Sequence, residues 1–565
     1  DDPFEGWWAS TPGLLNVFSG LQKSVAIKLF SELNENSGKS LVPFGPSVLP
    51  RLGFNWPSGQ EDEILRLAIS VDDPFVFATV VSTASQRFKQ DDFAKYLIPD
   101  ATPDVKASAP RVRQAMLLAA RKQAPREDRL LRVALSDHDP DVRRLAVQWV
   151  AEEKLTDLKP RVAAMFDSQG MTTELFLATI AALEMLDGKK LEDFDKTPAE
   201  QYVVPLLKDE QRSPAVRAQA LRLVSPTDKS LDTQFFASLL KSENEALRLE
   251  TVRTLQGAKS EIAGPLLRDV ADASRVGVNE EDKRTRDAST TLRAEALVGL
   301  AAVAKSEPVG GPTRKLLRQF VVPPLGGESE NVPPKGGTTN GNLLRESLRA
   351  VRGLIAEDVE LRSAVDEVAM SLKSIKDENF ATELADQITL AFAEAKLDAP
   401  KSLKISASEN PKTRMEWMAQ LNRGREVDPA AGRRVFFHPN GPGCFKCHTI
   451  DGRGGKVGPD LSRAIGNMNR IQLIQSILEP SREIAPQFVS WTFELKDGKV
   501  VTGMVVHENE GKTVVGNAEG TLIEIKTIDI ESRTPQKISV MPERLAERMT
   551  LQELRDLLAF LDSQK

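Results

Sequence analysis

The chain has 565 residues, with 75 lysines and arginines against 81 aspartates and glutamates, and a net charge of −6. The two signs are well mixed, so no basic stripe argues for nucleic-acid binding, and no apolar run is long enough to span a bilayer. Only two cysteines and four histidines are present.

Length predicts about three to four domains, unless a solenoid spends it on one architecture. Residues 1–60 are the least legible: Trp7, Trp8 and Trp56 near glycine and proline read as a cap on the first repeat or as a former junction with another domain. Over 61–397 the sequence is repetitive. The stretch Asp139-Pro140-Asp141-Val142-Arg143-Arg144-Leu145 is echoed from Pro214 to Leu221, from Ala246 to Val252 and from Thr291 to Leu297, with a fainter copy from Asp72 to Val80. Each copy is a turn followed by a helix with one apolar face, and one such unit cannot bury that face alone, so stacked neighbours must supply the core. The pattern resembles HEAT repeats, and the resemblance implies an α-solenoid.

The repeat arginines are expected to pair with carboxylates or helix ends. In Asp137-His138-Asp139-Pro140-Asp141 a turn that caps the next helix is preferred over a metal site. No nucleophile elbow, phosphate loop or histidine pair occurs in the repeats. Residues 305–342, with repeated Gly-Gly and Pro-Pro pairs, predict a long loop. Residues 398–425 read as a polar linker with a helix around Arg414 to Leu421.

From 426 onward the chemistry concentrates. Asp428 followed by Pro429 reads as an N-cap and first helical residue. Then Cys444-Phe445-Lys446-Cys447-His448 spells C-x-x-C-H, and it holds both cysteines of the chain. Two thiols at this spacing can add to the two vinyl groups of one haem, while the adjoining histidine reaches the iron. A redox dithiol would want a βαβ context, which the approach Asn440-Gly441-Pro442-Gly443 does not offer. A zinc site needs four converging ligands, and only His438 lies close in sequence as a fourth. A disulfide across so short a loop would constrain little.

After the motif, the glycine-laden run from Asp451 to Leu461, which includes Gly458 and Pro459, lets backbone approach a flat ligand closely. Val489 to Leu495 alternates, Asp497-Gly498 is a hairpin turn, and short runs follow at Val500–Val506, Thr513–Val515 and Thr521–Ile525. These predict an antiparallel β-meander over about 487–530. Met541-Pro542 sets a thioether on a stiff turn, and Thr550 with Glu553 forms a capping box for a last helix bearing Leu551, Leu554, Leu558 and Leu561.

The order of a short helix with Gly432 and Phe436, C-x-x-C-H, Gly458-Pro459-Asp460-Leu461, Met541-Pro542 and a leucine-rich final helix resembles a class I cytochrome c. More narrowly, residues 426–565 are similar to the planctomycete-type haem-binding domain found C-terminal to HEAT repeats. Ser476-Ile477-Leu478-Glu479-Pro480-Ser481 and the run Leu554 to Leu561 fit that family. The interval between His448 and Met541 exceeds that of a compact cytochrome, and the meander accounts for it.

The resemblance implies one covalently attached haem c, His448 as proximal and Met541 as distal iron ligand, and the Pro459 carbonyl fixing the His448 tautomer. Rivals for the distal place are Met549, Met468, Met504 and His507. Arg453, Lys456 and Arg463 are read either as partners of the haem propionates or as surface charge. The fold class expected is mainly α: a HEAT-like solenoid, then a cytochrome c-like helical domain with the meander inserted.

The function expected is that of a periplasmic electron carrier taking electrons from a partner dehydrogenase and passing them to a respiratory acceptor, with the solenoid's concave face as docking surface. Haem attachment occurs on the oxidising side of the bacterial inner membrane. The start at Asp1-Asp2-Pro3 without an export signal is therefore read as a trimmed chain. Two other readings stand beside it: an interaction scaffold whose haem is structural or gas-sensing, and the processed C-terminal part of a larger dehydrogenase. On the leading reading the chain is a non-catalytic electron carrier or the cytochrome part of an oxidoreductase.

Overall fold

The computed structural model describes residues 74–97, 109–190, 199–272, 283–303, 339–408, 411–422, 426–509 and 511–564. The expected N-terminal cap and residues 305–338 of the expected loop lie outside the described residues, while 339–342 open a helix. The protein is mainly helical with a small antiparallel sheet. It divides into two compact units, the first ending at Val216 and the second running from Arg217 to Lys565. That division falls inside the stretch 61–397 that the sequence presents as repetitive.

In the first unit, α1 (Pro74–Arg87), α2 (Gln90–Leu97), α3 (Pro110–Gln123), α4 (Asp128–Ala134), α5 (Pro140–Glu152) and α6 (Thr173–Leu186) supply the core. α1 packs on α3, α3 on α5 and α5 on α6. The α3 stripe Val112, Ala115, Met116 and Ala119 is buried at helical spacing. The aspartate-rich turn before α5 works as a cap: Asp139 Oδ1 accepts from the N–H groups of Asp141 and Val142 at 3.1 and 3.0 Å. Asp137 takes a two-point bond from Arg113, 2.8 Å at each oxygen. Arg113 is here a partner to a carboxylate.

The second unit contains α7 (Thr233–Leu240), α8 (Glu245–Leu255), α9 (Ser260–Asp272), α10 (Lys283–Val303), α11 (Thr339–Ala350), α12 (Val359–Ser371) and α13 (Glu378–Glu394). α8 packs on α10, α10 on α11 and α11 on α13. Then come α14 (Arg414–Leu421), α15 (Pro429–Phe437), α16 (Arg470–Leu478) and the terminal α17 (Leu551–Asp562). Asp428 caps α15 through Ala430 N–H at 2.8 Å, with Pro429 in the first turn. The capping box of α17 is present, Thr550 Oγ1 accepting from Glu553 N–H at 3.2 Å and Glu553 accepting from Thr550 N–H at 2.9 Å.

α15 and α17 cross at Gly432, and Phe436 meets Phe560 edge-on with ring centres 6.0 Å apart. Trp417 and Leu421 of α14 join the same apolar cluster as Phe436, Leu554 and Leu558. The C-terminal core therefore reaches back to α14, into the segment expected as a linker.

Two sheets occur among the described residues. A hairpin of β1 (Thr449–Ile450) and β2 (Arg453–Gly454) follows the C-x-x-C-H motif. Its turn residues Asp451 and Gly452 have φ of 51° and 78°. The insert is a five-stranded antiparallel sheet of β3 (Ser490–Leu495), β4 (Val500–Glu508), β5 (Lys512–Gly516), β6 (Leu522–Lys526) and β7 (Ile530–Pro535), in the order β6-β5-β4-β3-β7. It runs to Pro535 rather than ending near 530, because the last strand returns to pair with the first.

Candidate functional site

Cys444, Phe445 and Lys446 form one 3-10 turn that Cys447 and His448 continue, with the Cys447 and His448 N–H groups bonding the Cys444 carbonyl at 3.2 and 3.0 Å. The turn starts from Gly443 at φ 77°, a left-handed position that suits glycine. Both thiols are free. Cys444 and Phe445 pack on the cluster built by α14, α15, α16 and α17.

The glycine-laden segment folds back over this turn. Gly455 N–H bonds the Phe445 carbonyl and Gly458 N–H bonds the Cys447 carbonyl, each at 2.7 Å. Thr449 Oγ1 donates to the Gly455 carbonyl at 2.7 Å. The missing side chains are required: a Cβ on Gly455 would stand 1.9 Å from the Lys446 carbonyl oxygen. On Gly458 it would stand 2.5 Å from Cε1 of His448, so the imidazole lies against a bare α-carbon. His448 Nδ1 is 3.0 Å from the Pro459 carbonyl oxygen. With Nδ1–H donating there, Nε2 is left as the nitrogen able to ligate a metal. Burial lowers the His448 pKa and so keeps the ring neutral, while the bond to Pro459 opposes that shift.

The thiols have the opposite of a redox-active environment. Burial pushes Cys444 up to about 12 and raises Cys447 as well. Among the described residues no three His, Cys, Asp or Glu side chains converge to hold a metal ion. His438 is fully buried, its Nδ1 accepting from Asn440 N–H at 3.1 Å.

The thioethers sort by place. Met541 and Met468 are partly buried against the cluster that Cys444 touches, whereas Met549 is a buried member of that core. Met504 and His507 lie on β4 of the sheet. The Met541 turn is tied down by Met541 N–H to Ser539 Oγ at 3.1 Å and Ser539 N–H to Ser481 Oγ at 3.2 Å. The sheet also touches the motif: a Cβ on Gly520 would meet the Lys446 carbonyl at 2.3 Å, and one on Gly516 would meet Val457 at 2.6 Å.

Of the basic residues weighed for propionates, Arg453 is committed elsewhere. Its Nη2 lies 3.1 Å from Glu250 Oε2, 2.8 Å from Thr254 Oγ1 and 3.3 Å from the Leu221 carbonyl. Lys456 is exposed, and the side chain of Arg463 lies outside the described residues.

Arg453 belongs to a buried ionic network that sequence reasoning missed. Arg433 pairs with Glu295 at 3.1 Å, Arg434 with Glu346 at 2.7 Å, and Arg349 and Arg352 with Glu553 at 2.5 and 2.8 Å. The network ties α8, α10 and α11 to the motif-bearing region. Against desolvation, Arg433 and Arg253 hold Glu295 down to about 2. The one available signal was the adjacent pair Arg433-Arg434 on a short helix whose other residues are mostly apolar.

No protein-family model matches this sequence, and no curated protein matches it. No helix among the described residues is long and apolar enough to cross a membrane. The residues present fit haem c: two thiols on one turn, an imidazole with Nδ1 engaged and Nε2 left over, and a glycine wall against the ring.

Proposed function

We propose that this chain is an electron-transfer protein whose C-terminal region is a class I cytochrome c-like domain of the planctomycete type, set on HEAT-like helical repeats. The observation that carries the reading is the C-x-x-C-H turn with His448 Nδ1 held at 3.0 Å by the Pro459 carbonyl. Cys444 and Cys447 would hold haem c through thioether bonds, His448 would be the proximal ligand and Met541 the distal one. The haem supplies one-electron cycling of iron, which none of the side chains can provide.

The chain's own residues do the rest. Pro459 fixes the imidazole tautomer. Gly458 gives the ring its seat, and the cluster of Phe436, Leu554 and Leu558 excludes water behind Cys444. The close crossing of α15 and α17 at Gly432 supports the likeness to a cytochrome fold. Helices packing on near neighbours, with arginines spent on carboxylates, support the repeat reading of the upstream stretch. The proposed donor is a partner dehydrogenase, the acceptor a respiratory carrier, and the compartment the periplasm.

The test is the visible spectrum of protein exported together with a haem-maturation system. Sharp low-spin reduced bands, with the far-red sulfur-to-iron band in the ferric state, are expected. A high-spin spectrum that responds to carbon monoxide moves the assignment to a gas-sensing haem, and absence of covalent haem ends it.

A further inference from the structure

We propose that Arg453 is a positioning residue for His448, anchored in the helices of the second unit, so that those helices set the geometry of the histidine loop. The inference rests on the haem reading above. All three of the shortest contacts of Arg453 run from one nitrogen, Nη2, to Glu250, Thr254 and the Leu221 carbonyl. Two of those partners sit on α8 and the third on the helix Pro214–Leu223. Glu250 is itself fixed from the other side by Arg253 at 2.7 Å and Arg222 at 3.3 Å. The hairpin tip follows the arginine inward, since a Cβ on Gly452 would stand 3.1 Å from Leu223 Cδ2.

From that anchor the backbone leads directly to the imidazole. Ile450 pairs with Arg453 and Thr449 with Gly454 across the hairpin. A Cβ on Gly454 would lie 2.1 Å from the His448 carbonyl oxygen, so the two strands are in hard contact there. Gly455 is then bonded to Phe445, Gly458 to Cys447, and the Pro459 carbonyl takes His448 Nδ1. A displacement of Arg453 is passed on to the Pro459 carbonyl and hence to the ring.

The test compares five variants of the exported, haem-loaded chain: Arg453→Met, Arg453→Lys, Glu250→Gln, the double variant Arg453→Met/Glu250→Gln and, as a control at a buried ion pair that shares no partner with Glu250, Glu346→Gln. Three quantities are read: the melting temperature, the midpoint potential and the paramagnetically shifted ring signals of His448. Arg453→Met and Glu250→Gln are expected to retain one haem per chain and to shift the potential and the His448 signals in the same direction. The double variant should add nothing further, and Arg453→Lys should give a smaller shift of the same sign. Glu346→Gln should lower the melting temperature and leave the ring signals in place.

Unchanged ring signals and potential in Arg453→Met with a lowered melting temperature would reduce Arg453 to a stability role and overturn the inference. Equal shifts in Glu346→Gln would do the same. Absence of covalent haem in the unaltered chain defeats the proposed function separately. The positioning role is then read by nitrogen NMR on the His448 tautomer, where a change in Arg453→Met upholds it and no change overturns it.

Discussion

Gly432 and Asp556 touch through their backbones: a Cβ on Gly432 would stand 1.9 Å from the Asp556 carbonyl oxygen. No side-chain rotamer relieves a clash with backbone, so Gly432→Ala must force α15 and α17 apart. The expected loss is on the order of 3 kcal/mol. Urea denaturation followed by circular dichroism measures it, and a cost below about 1 kcal/mol would show that the crossing is loose.

The side chain of Asp556 makes a second tie, accepting the Asp428 N–H at 2.9 Å and Gln552 Nε2 at 3.0 Å. Desolvation still pushes its carboxyl up to about 7, from an ordinary 3.8. Between those values the folded chain keeps a proton that the unfolded chain has released, so this group's contribution to stability falls as pH rises through that window. Asp556→Asn keeps an acceptor oxygen without the charge. Its stability relative to the parent should be near zero difference at pH 4 and should rise to on the order of 2 kcal/mol in its favour at pH 8, read from urea midpoints at the two pH values.

Glu553 has the opposite sign. Against desolvation, Arg352 and Arg349 hold it well below the usual carboxylate range. Glu553→Gln preserves the capping box but leaves two buried guanidinium groups short of countercharge, and the expected cost at pH 7 is about 3–5 kcal/mol. A depressed carboxylate stabilises above its unfolded pKa and loses that contribution as pH falls. The deficit of the variant should therefore shrink between pH 5 and pH 2, and a deficit independent of pH would place the effect in packing instead.

Ligation has its own test. Replacing Cys444 and Cys447 by Ser should leave no haem that survives acidified organic extraction. Met541→Ala should keep covalent haem, abolish the far-red sulfur-to-iron band and lower the midpoint potential, since a thioether ligand raises it. If the band persists in Met541→Ala and disappears in Met468→Ala, the other methionine on the same cluster is the ligand.

Local signals were the legible part of this sequence. The Asp428 and Thr550/Glu553 caps, the α14 helix and the first four strands of the insert all stand where spacing and capping residues placed them, because those features depend on neighbours within four residues. β7 escaped notice since Ile530–Pro535 is largely exposed and carries no alternation to read. The β1–β2 hairpin, two residues per strand, looked like loop. The ionic network was illegible for a different reason: Glu250, Glu295 and Glu346 look like ordinary surface acids on amphipathic helices, and Glu553 looks like a capping residue alone. Their arginine partners often lie far away in sequence. The same distance hid the use of Arg453, and it hid Trp417, which makes α14 part of the C-terminal core instead of a spacer. The division at Val216 leaves no mark because the helical pattern runs through it unchanged.

The strand order of the insert has one more consequence. β3 is its first strand and β7 its last, and they are neighbours, with Trp491 opposite Pro535 and Gln536 N–H bonded to the Ser490 carbonyl at 2.8 Å. The chain leaves and rejoins the helical framework at one pair of adjoining residues. The sheet is thus inserted through a closed neck that a short glycine bridge from Ser490 to Gln536 would span, and the β3–β4 hairpin turn could be lengthened or exchanged without asking α16 or the Met541 turn to move, while Gly516 and Gly520 keep their seats on Val457 and Lys446.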